Sequence, residues 1–387
     1  MRRKGNLTIG FTYNEKKPGL EHLDKYFEWD SPETVEGITR ALESTGNTVV
    51  PLEADKNIYR KLEQQRDRLD IVFNIAECLS QEIAESEDRE AAVPMFLDFL
   101  QIPYTGSSPG SLINALDKAT AKEILSYYGI RTPMFERISK YTDRLKRNIP
   151  YPLMVKPVSE GTSIGISQSS RVTDADALER NVRRIIDDYD QPALVEEFIG
   201  GIEYTVGIVG DLVFPILQIN LERLPGTPLV RDNHVKDMEP QYTDTSGTTD
   251  SALTLAPFDR RYRNLATQAV LAHAAIGCRD YNRMEFREKE GRTYFLEMNA
   301  LPGMHPNEGD LPVMAKAAGV EFNILVNMIL HEAISRYKAN QKYSSRFDDS
   351  RTRNIDEMVG SAKSRLGFYK EDATSRQHAY SMVKPLI

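Results

Sequence analysis

Residues 280–304 constrain the fold most, because their sequence is typical of two strands joined by a short polar turn. Alternation along a strand places Arg283 and Glu285 on one face of the first strand. By the same rule Glu297 and Asn299 share a face of the second strand. The intervening EKEG has the polarity and the glycine of a hairpin loop. An antiparallel hairpin would therefore bring two carboxylates and an amide oxygen together.

Those three oxygen-bearing side chains suit a hard divalent cation. Mg²⁺ commonly takes one or two carboxylates and leaves its other positions to water and substrate phosphates. A solvated edge hairpin is the alternative for acidic strands. The polar residues interrupt the second strand just before the Pro302-Gly303 turn, and strand ends of this kind often carry binding sites. This position favours a metal site.

Composition limits the classes of protein that the chain can belong to. Its 387 residues exceed what one hydrophobic core normally covers, so we expect two or three domains. A formal charge of -8 argues against general affinity for nucleic acid or anionic membranes. Cys78 and Cys278 have no disulfide or zinc-site spacing, which favours a reduced compartment. Without a signal-peptide core or an apolar run of roughly 18 residues, we expect a cytoplasmic protein.

The first 110 residues alternate strands with helices, which predicts a small parallel sheet. Predicted strands cover residues 7–13, 48–52 and 70–75. Ser31-Pro32 is typical of a helix start. A later helix over 91–100 follows the acidic run 85–90, which we interpret as a helix cap with a solvated face rather than as a substrate contact. A further helix is predicted over 112–128.

The stretch YPLMVKPVSEGTSIGI predicts a strand that ends at Lys156, followed by a loop of small residues at 160–165. Glycine allows the backbone to approach a ligand, and successive N–H groups can cradle phosphate oxygens. Lys156 would add positive charge. The GxxxxGK[ST] pattern is missing, which excludes a P-loop fold as the source of the site. A tight turn with a buried lysine is an equally good interpretation of this segment alone.

Two later segments complete the pattern. In ALVEEFIGGIEY, over residues 193–204, a strand passes into a glycine turn whose backbone can bond the edge of a purine, and Glu203 can accept from ribose hydroxyls. The long loop 223–256 is rich in proline, glycine, threonine and aspartate. Its length predicts a mobile lid, with plain disorder as the alternative.

The order and the amino-acid sequences of these segments resemble those of ATP-grasp enzymes, specifically the D-alanine–D-alanine ligase family. The matching runs within residues 70–335 are FNIAE, PYTGS, LDKATAK, VKPVSEGTSIGI, VEEFIGGIEYTV, YNRMEF and FLEMNALPGM. The resemblance implies an α/β fold with an α+β C-terminal part. An N-terminal parallel-sheet domain would precede two α+β subdomains with ATP between them. The expected boundaries are 1–110, 111–199, 200–337 and a polar extension 338–387 that is either a tail or an interface helix.

The resemblance also implies a nucleotide site. The residues that would bind the ATP phosphates are Lys118 and Lys156, with the loop formed by Glu160, Gly161, Thr162 and Ser163. The residues that would hold the nucleoside are Glu197 and Ile199 through their backbone, Glu196 near the adenine amino group, and Glu203 at the ribose. Lys236, in the long loop, would close over the γ-phosphate.

The implied chemistry is ADP-forming ligation of a carboxylate to an amine through an acyl phosphate. The residues that would hold two Mg²⁺ ions, with Mn²⁺ as an alternative, are Glu285, Glu297 and Asn299. Arg283 and the Gly303 backbone would stabilise the charge of the intermediate. The substrates would be small amino acids or amines, the assembly a homodimer, and neither nucleic acid nor membrane a partner. The alternatives are a ligase acting on a non-peptide metabolite and a non-catalytic nucleotide-binding regulator.

The sequence departs from the family's pattern in the half that would bind the substrates. Lys236 is followed by Asp237 where a tyrosine is usual, and no serine follows the Pro-Gly-Met run. The usual GEDG is replaced by SEDR at 86–89. Glu308 and Asp310 would repel a substrate carboxylate unless they pair with Arg89 or His305. We therefore hypothesise an acceptor other than D-alanine, such as a basic or modified amine.

Overall fold

Three β-sheets organise the part of the chain that the computed structural model describes, which is residues 6–17, 19, 26–79, 86–221, 228–230 and 253–366. The strands are β1 (Thr8–Tyr13), β2 (Thr48–Glu53), β3 (Ile71–Asn74), β4 (Phe135–Ile138), β5 (Leu153–Pro157), β6 (Arg171–Val172), β7 (Ala193–Glu197), β8 (Ile202–Val209), β9 (Leu212–Val213), β10 (Leu217–Ile219), β11 (Leu253–Leu255), β12 (Tyr281–Lys289) and β13 (Arg292–Asn299). The α-helices are α1 (Pro32–Glu43), α2 (Ile58–Gln65), α3 (Ala92–Leu100), α4 (Pro109–Leu116), α5 (Lys118–Tyr127), α6 (Ala175–Tyr189), α7 (Arg260–Ile276), α8 (Asp310–Ala317), α9 (Phe322–Lys338) and α10 (Asp349–Arg365). This order confirms the predicted α/β class with an α+β C-terminal part.

The first sheet is parallel and has the strand order β2-β1-β3. Every residue of β3 is buried, as expected for a parallel sheet that is covered on both faces. Helix α1 begins where the sequence predicts, because the Ser31 hydroxyl accepts a hydrogen bond from the Thr34 backbone N–H at 3.2 Å. The carboxyl ends of β1 and β3 therefore lie side by side, with β2 on the far side of β1.

The second and third sheets are antiparallel. The second has the order β4-β7-β5-β6, and the third has the order β11-β10-β8-β12-β13 with β9 paired to β8. The second sheet has a small core of its own, which includes Leu153, Val155 and Val182. The third sheet instead shares a continuous core with the first, from Phe11 to Met284. The second sheet is thus packed more independently than the other two.

The predicted hairpin is confirmed, with a tighter turn than expected. Strands β12 and β13 pair so that Arg283 lies opposite Asn299 and Glu285 lies opposite Glu297. The turn consists of Glu290 and the following glycine, with φ of 53° and 72°, as a two-residue type I′ turn requires. The four polar side chains therefore share one face, and the methionines between them are buried on the other.

The prediction of a single helix over 112–128 is wrong, because Asp117 divides this stretch between α4 and α5. Asp117 has extended backbone, with ψ of 98°, and its carboxylate accepts a hydrogen bond from the Thr120 N–H at 2.8 Å. An aspartate side chain can offer the backbone this alternative to a continuous helix. The break makes Lys118 the first residue of α5, at the edge of the cleft described below.

Within its described part, 338–366, the polar extension contains the packed helix α10 and is not a free tail. Helix α10 buries Ile355 and Val359 against α9. Its Arg351 guanidinium lies 2.6 Å from the fully buried Asp70 carboxylate, next to the first sheet. The Asp70 carboxylate also accepts from the Thr8 N–H at 2.8 Å. The extension therefore joins the first sheet to the C-terminal helices.

Helices α8 and α9 lie in the shared core. Leu311 and Met314 of α8 and Leu325 and Ile329 of α9 are fully buried. Within the described ranges, no single helix has both the length and the apolarity to cross a membrane. Helices α8 and α9 meet that test only as a pair, which is bent by 106°.

Candidate active site

A cleft opens between the second and third sheets. The sequence-predicted residues that line it are Lys156, Thr162, Ser163, Glu196, Glu197, Ile199, Glu203, Arg283, Glu285 and Glu297. Segments more than 100 positions apart in the chain thus meet in one cavity, as the resemblance implies. Lys236 lies outside the described residues, as does most of the predicted lid.

The centre of the cleft contains a buried carboxylate between two lysines. The Glu196 carboxylate lies 2.8 Å from the Lys156 ammonium and 3.1 Å from the Lys122 ammonium. Burial alone would raise the pKa of Glu196, but the two lysines outweigh it and lower that pKa. Burial lowers the pKa of Lys122 to about 8, although Glu196 acts against the shift. The charges are therefore held in place before any ligand binds.

Lys122 is a site residue that the sequence analysis missed. It lies one helical turn after Lys118 on α5. The spacing of the two lysines in the KATAK run therefore indicates that both side chains lie on the same face of the helix. Its ammonium also donates to the backbone carbonyl of Leu296 at 2.5 Å. Lys122 thereby fixes α5 against β13, the strand that carries Glu297.

Lys118 connects the loop after β5 with the acidic hairpin. Its ammonium lies 3.6 Å from the Glu297 carboxylate and donates to the backbone carbonyl of Glu160. In the same loop Thr162 and Ser163 have φ of 47° and 59°, in the left-handed region. Such conformations cost about 1–3 kcal/mol each and are concentrated at ligand-binding sites. The loop is therefore shaped as a phosphate-binding turn would be, with its backbone held in an uncommon conformation.

Arg283 of the hairpin lies between an acidic group of the hairpin and one at the start of α8. The Arg283 guanidinium lies 2.6 Å from the Glu285 carboxylate and 3.5 Å from the Asp310 carboxylate. Burial would lower the pKa of Arg283, but these carboxylates raise it, so the charge is kept. Asp310 thus lies near Arg283, a cation that the sequence analysis did not consider as its partner. Glu308 does lie near His305, at 3.9 Å.

The donor set of the hairpin fits a magnesium ion that is shared with a nucleotide. Glu285, Glu297 and Asn299 offer two carboxylates and an amide on one face. Among the described residues, no three His, Cys, Asp or Glu side chains are grouped closely enough to hold a metal ion by themselves. Mg²⁺ does not require such a group, because it retains water and phosphate ligands.

The part of the cleft lined by Glu203 and Ile199 is organised by Arg287, which the sequence analysis also missed. Its Nε and one terminal nitrogen donate to the same Glu203 oxygen, at 3.0 and 2.9 Å. Its other terminal nitrogen donates to the backbone carbonyl of Ile199 at 2.9 Å. The Arg287 and Arg171 guanidinium groups both lie over the Phe198 ring, 5.5 and 5.1 Å from its centroid. The orientation of Glu203 and of the strand edge is thus set by contacts within the protein.

The Glu160 side chain points away from this cleft, toward the first sheet. Its carboxylate accepts from the Gln191 amide at 2.6 Å and lies 3.2 Å from the Arg89 guanidinium. Burial raises the pKa of Glu160 to about 7, although Arg89 lowers it in part. Arg89 and Glu90 are both buried. The interpretation of the run 85–90 as a solvated face is therefore wrong at these two positions.

The chain is similar to known proteins over most of its length. A family model described as D-ala D-ala ligase C-terminus matches residues 119–331. A D-alanine–D-alanine ligase of Syntrophotalea carbinolica is 33% identical over 304 residues, which are 78% of this chain and 91% of that protein. One of Pelotomaculum thermopropionicum is 29% identical over 319 residues, 79% of this chain and 92% of that protein. The crystal structure of D-alanine–D-alanine ligase from Bacillus anthracis complexed with ATP has a TM-score of 0.64 at 22% identity, covering 86% of this chain and 99% of that one.

Proposed function

Because the chain belongs to the D-alanine–D-alanine ligase family of ATP-dependent ligases, we propose that it joins a carboxylate to an amine through an acyl phosphate. The observation that best supports this proposal is the cleft between the second and third sheets. It combines buried lysines, a strained glycine-containing loop and a hairpin with two facing carboxylates. These are the groups that phosphoryl transfer from ATP needs for positioning and charge neutralisation.

In the proposed reaction, an oxygen of the substrate carboxylate attacks the γ-phosphorus of ATP. An acyl phosphate forms and ADP leaves. The amine then attacks the acyl carbon as a free base, the bond from that carbon to the phosphate oxygen breaks, and inorganic phosphate departs. The nitrogen loses a proton to give the amide. No side-chain nucleophile is needed, so positioning and electrostatic stabilisation account for the catalysis.

The lysines are proposed to bind the phosphates of ATP. Lys156 lines the cleft from the end of β5, and Lys118, at the start of α5, contacts Glu297 of its lining. Because Lys118 also lies 3.6 Å from Glu297, it would keep the γ-phosphate next to the hairpin. Thr162 and Ser163, with the backbone of Gly161, would cover the phosphates. Lys236 is kept in the proposal as the residue that closes over them from the long loop.

Arg283 is proposed to stabilise the oxyanion that forms when the amine attacks. Its guanidinium stays charged between Glu285 and Asp310, and it faces the cleft. The backbone of Gly303, in the turn after β13, would also stabilise this oxyanion. A Cβ added at Gly303 would meet no atom within 4 Å, so the turn leaves open space on that side.

The hairpin carboxylates and amide are proposed to hold magnesium. Glu285, Glu297 and Asn299 would hold two ions, with Mn²⁺ as an alternative. When bound, the ions would neutralise charge on the phosphates. Adenine would lie against the backbone of Glu197 and Ile199 near Glu196, with its ribose at Glu203. A homodimer and a cytoplasmic location, both predicted from the sequence, stay proposals.

The test is phosphate release from ATP and Mg²⁺ across a panel of D- and L-amino acids and simple amines, with mass spectrometry of the products. We expect ADP, inorganic phosphate and a new amide in equal amounts. The same assay on Asn299→Ala should lose most of the activity. ATP hydrolysis that is equal in this variant, with no amide from any pair, would contradict the proposal.

A further inference from the structure

Five carboxyl side chains converge at the carboxyl ends of β1 and β3, next to the nucleotide cleft. They are Glu28, Asp30, Glu77, Glu90 and Glu160, and we call this group the acidic chamber. Each of the last three belongs to a different segment of the chain, yet Glu90 and Glu160 act on one another and Glu28 acts on both. Glu28 and Asp30 both act on Glu77. The group is therefore one electrostatic unit.

The first sheet explains why these residues meet. Asn14 follows β1, and its amide oxygen accepts from the backbone N–H groups of Glu77 and Cys78 at 2.8 and 3.0 Å. Its backbone carbonyl accepts from the Asp30 N–H at 2.7 Å. With β1 in the middle of the sheet, the connections from β1 and β3 leave in different directions. Ligands of open α/β sheets bind in the crevice outside such strand ends.

Among the residues that the structure describes, the cations near the chamber do not balance its carboxylates. The Arg89 guanidinium lies 2.8 Å from Glu28 and 3.2 Å from Glu160, and it also donates to the Ser159 carbonyl at 2.8 Å. Lys16 and Lys118 act on Asp30 and Glu90 only through longer-range attraction. Even if all three cations are counted, the carboxyl groups outnumber them.

Two of the carboxyl groups have no partner at all within the described part of the chain. Glu77 and Glu90 are each 8% exposed, and neither side chain forms a hydrogen bond or ion pair there. One Asp30 oxygen is likewise buried without a hydrogen-bond partner among those residues. Buried polar groups are normally satisfied, because leaving one unpaired is costly. Burial, with the neighbouring carboxylates, raises the pKa of Glu90 to about 8 despite Arg89.

An organic cation can be bound by these groups alone, whereas a metal ion would need further ligands such as water or phosphate. The chamber residues are not arranged as a metal cluster, since no set of three such side chains within the described ranges is close enough to hold an ion. An ammonium group has three N–H donors and can span carboxylates that are further apart. The chamber also adjoins the reaction centre, because the Glu160 carbonyl accepts from Lys118, which lies 3.6 Å from Glu297.

We infer that the acidic chamber binds a second ammonium group of the amine substrate, so that the substrate class is a diamine or a diamino acid. This inference depends on the proposed ligase function and specifies its substrate. The remote ammonium would lie against Glu77 and Glu90, while the reacting amine lies toward the phosphate loop. Arg89 would keep Glu28 and Glu160 in position beside it.

The experiment measures binding and turnover separately, with amines matched in size. Lysine is compared with norleucine, and 1,4-diaminobutane with butylamine. Binding is read from calorimetry and from the shift in melting temperature, and turnover from amide formation with ATP and Mg²⁺. We expect each diamine to bind at least about tenfold more tightly than its matched monoamine, which is about 1.4 kcal/mol. Glu77→Gln should remove most of this difference while the affinity for ATP is kept.

The matched control is Glu87→Gln, in the same segment but outside the chamber, which should keep the preference for diamines. Equal binding of the matched amines by the unmodified protein would overturn the inference, even if monoamines were ligated. Diamine binding that depends on Glu77, without amide formation from any pair, would support the chamber and contradict the ligase. A melting shift with Mg²⁺ alone that is lost in Glu77→Gln would overturn the inference in favour of a metal ion.

Discussion

The cleft between the second and third sheets and the acidic chamber both contain buried charges, but they neutralise those charges differently. In the cleft, Glu196 lies between two lysines, and Arg283 lies between two carboxylates. In the chamber, Glu77 and Glu90 have no partner among the described residues. A site whose charges are paired is organised before ligand binds, whereas a site with excess charge of one sign is completed by a ligand of the other sign. The difference agrees with the two proposals, that the cleft holds ATP in one orientation and that the chamber binds a cation.

The largest effect is expected from removing the central carboxylate of the cleft. Glu196→Gln would leave Lys122 and Lys156 buried next to each other without a counter-ion. Breaking a buried pair in this way typically costs about 3–5 kcal/mol, so we expect the free energy of unfolding to fall by that amount. Urea denaturation measures it. A loss below about 1 kcal/mol would mean that the two lysines are neutralised by other groups.

A substitution in the hairpin is expected to reduce catalysis with little effect on the free energy of unfolding. Glu297→Gln removes one carboxylate of the proposed magnesium site and the partner of Lys118, so we expect ligase turnover to fall by about 100- to 1000-fold. Glu290→Gln, in the exposed turn of the same hairpin, is the control and should keep full turnover. Equal turnover by the two variants would show that the hairpin is not part of the active site.

Removing a carboxylate from the acidic chamber is expected to raise the free energy of unfolding, whereas removing Glu196 from the cleft lowers it. At pH 8, Glu77→Gln should raise the free energy of unfolding of the ligand-free protein by about 1 kcal/mol, because it removes a buried carboxyl that lies among other carboxyls. The measurement is the same urea denaturation. Destabilisation comparable to that of Glu196→Gln would show that Glu77 is paired after all, and the contrast between the two regions would disappear.

The smallest effect is a dependence of stability on pH. Burial raises the pKa of Glu90 to about 8 and that of Glu160 to about 7, above the ordinary value near 4.5. Because the folded state holds these protons more tightly, their contribution to stability is complete below about pH 4.5 and is lost as pH rises through 7 to 8. Arg89, Lys118 and Glu28 act on both groups. The melting temperature of the unmodified protein should therefore fall more between pH 6 and 8.5 than the melting temperature of the Glu90→Gln variant does. Parallel curves would contradict this prediction.

The sequence predicted the features that depend on neighbouring residues. The face shared by Glu285 and Glu297 follows from strand alternation and a glycine turn, and the start of α1 follows from Ser31-Pro32. The division of the helix at Asp117 was missed, because aspartate is tolerated within helices and here caps one only through its contact with Thr120. Lys122 was overlooked although its spacing from Lys118 was visible.

The chamber and the C-terminal helix could not be predicted, because they depend on contacts between distant segments. Arg89 pairs with Glu28 across 61 positions and with Glu160 across 71. Arg351 reaches Asp70 across 281 positions. A run of charged residues is normally solvated, and nothing local distinguishes Glu90 from Glu87. Contacts between distant segments bury Glu90, whereas Glu87 is only partly buried.

The measurement that tests the proposed reaction most directly is transfer of oxygen from the substrate carboxylate to phosphate. The carboxylate substrate found in the panel is labelled with ¹⁸O in both oxygens, and the inorganic phosphate is analysed by mass spectrometry after complete turnover with ATP and Mg²⁺. An acyl phosphate requires that one ¹⁸O appear in phosphate for every amide formed. Amide formation with unlabelled phosphate would contradict the proposed mechanism.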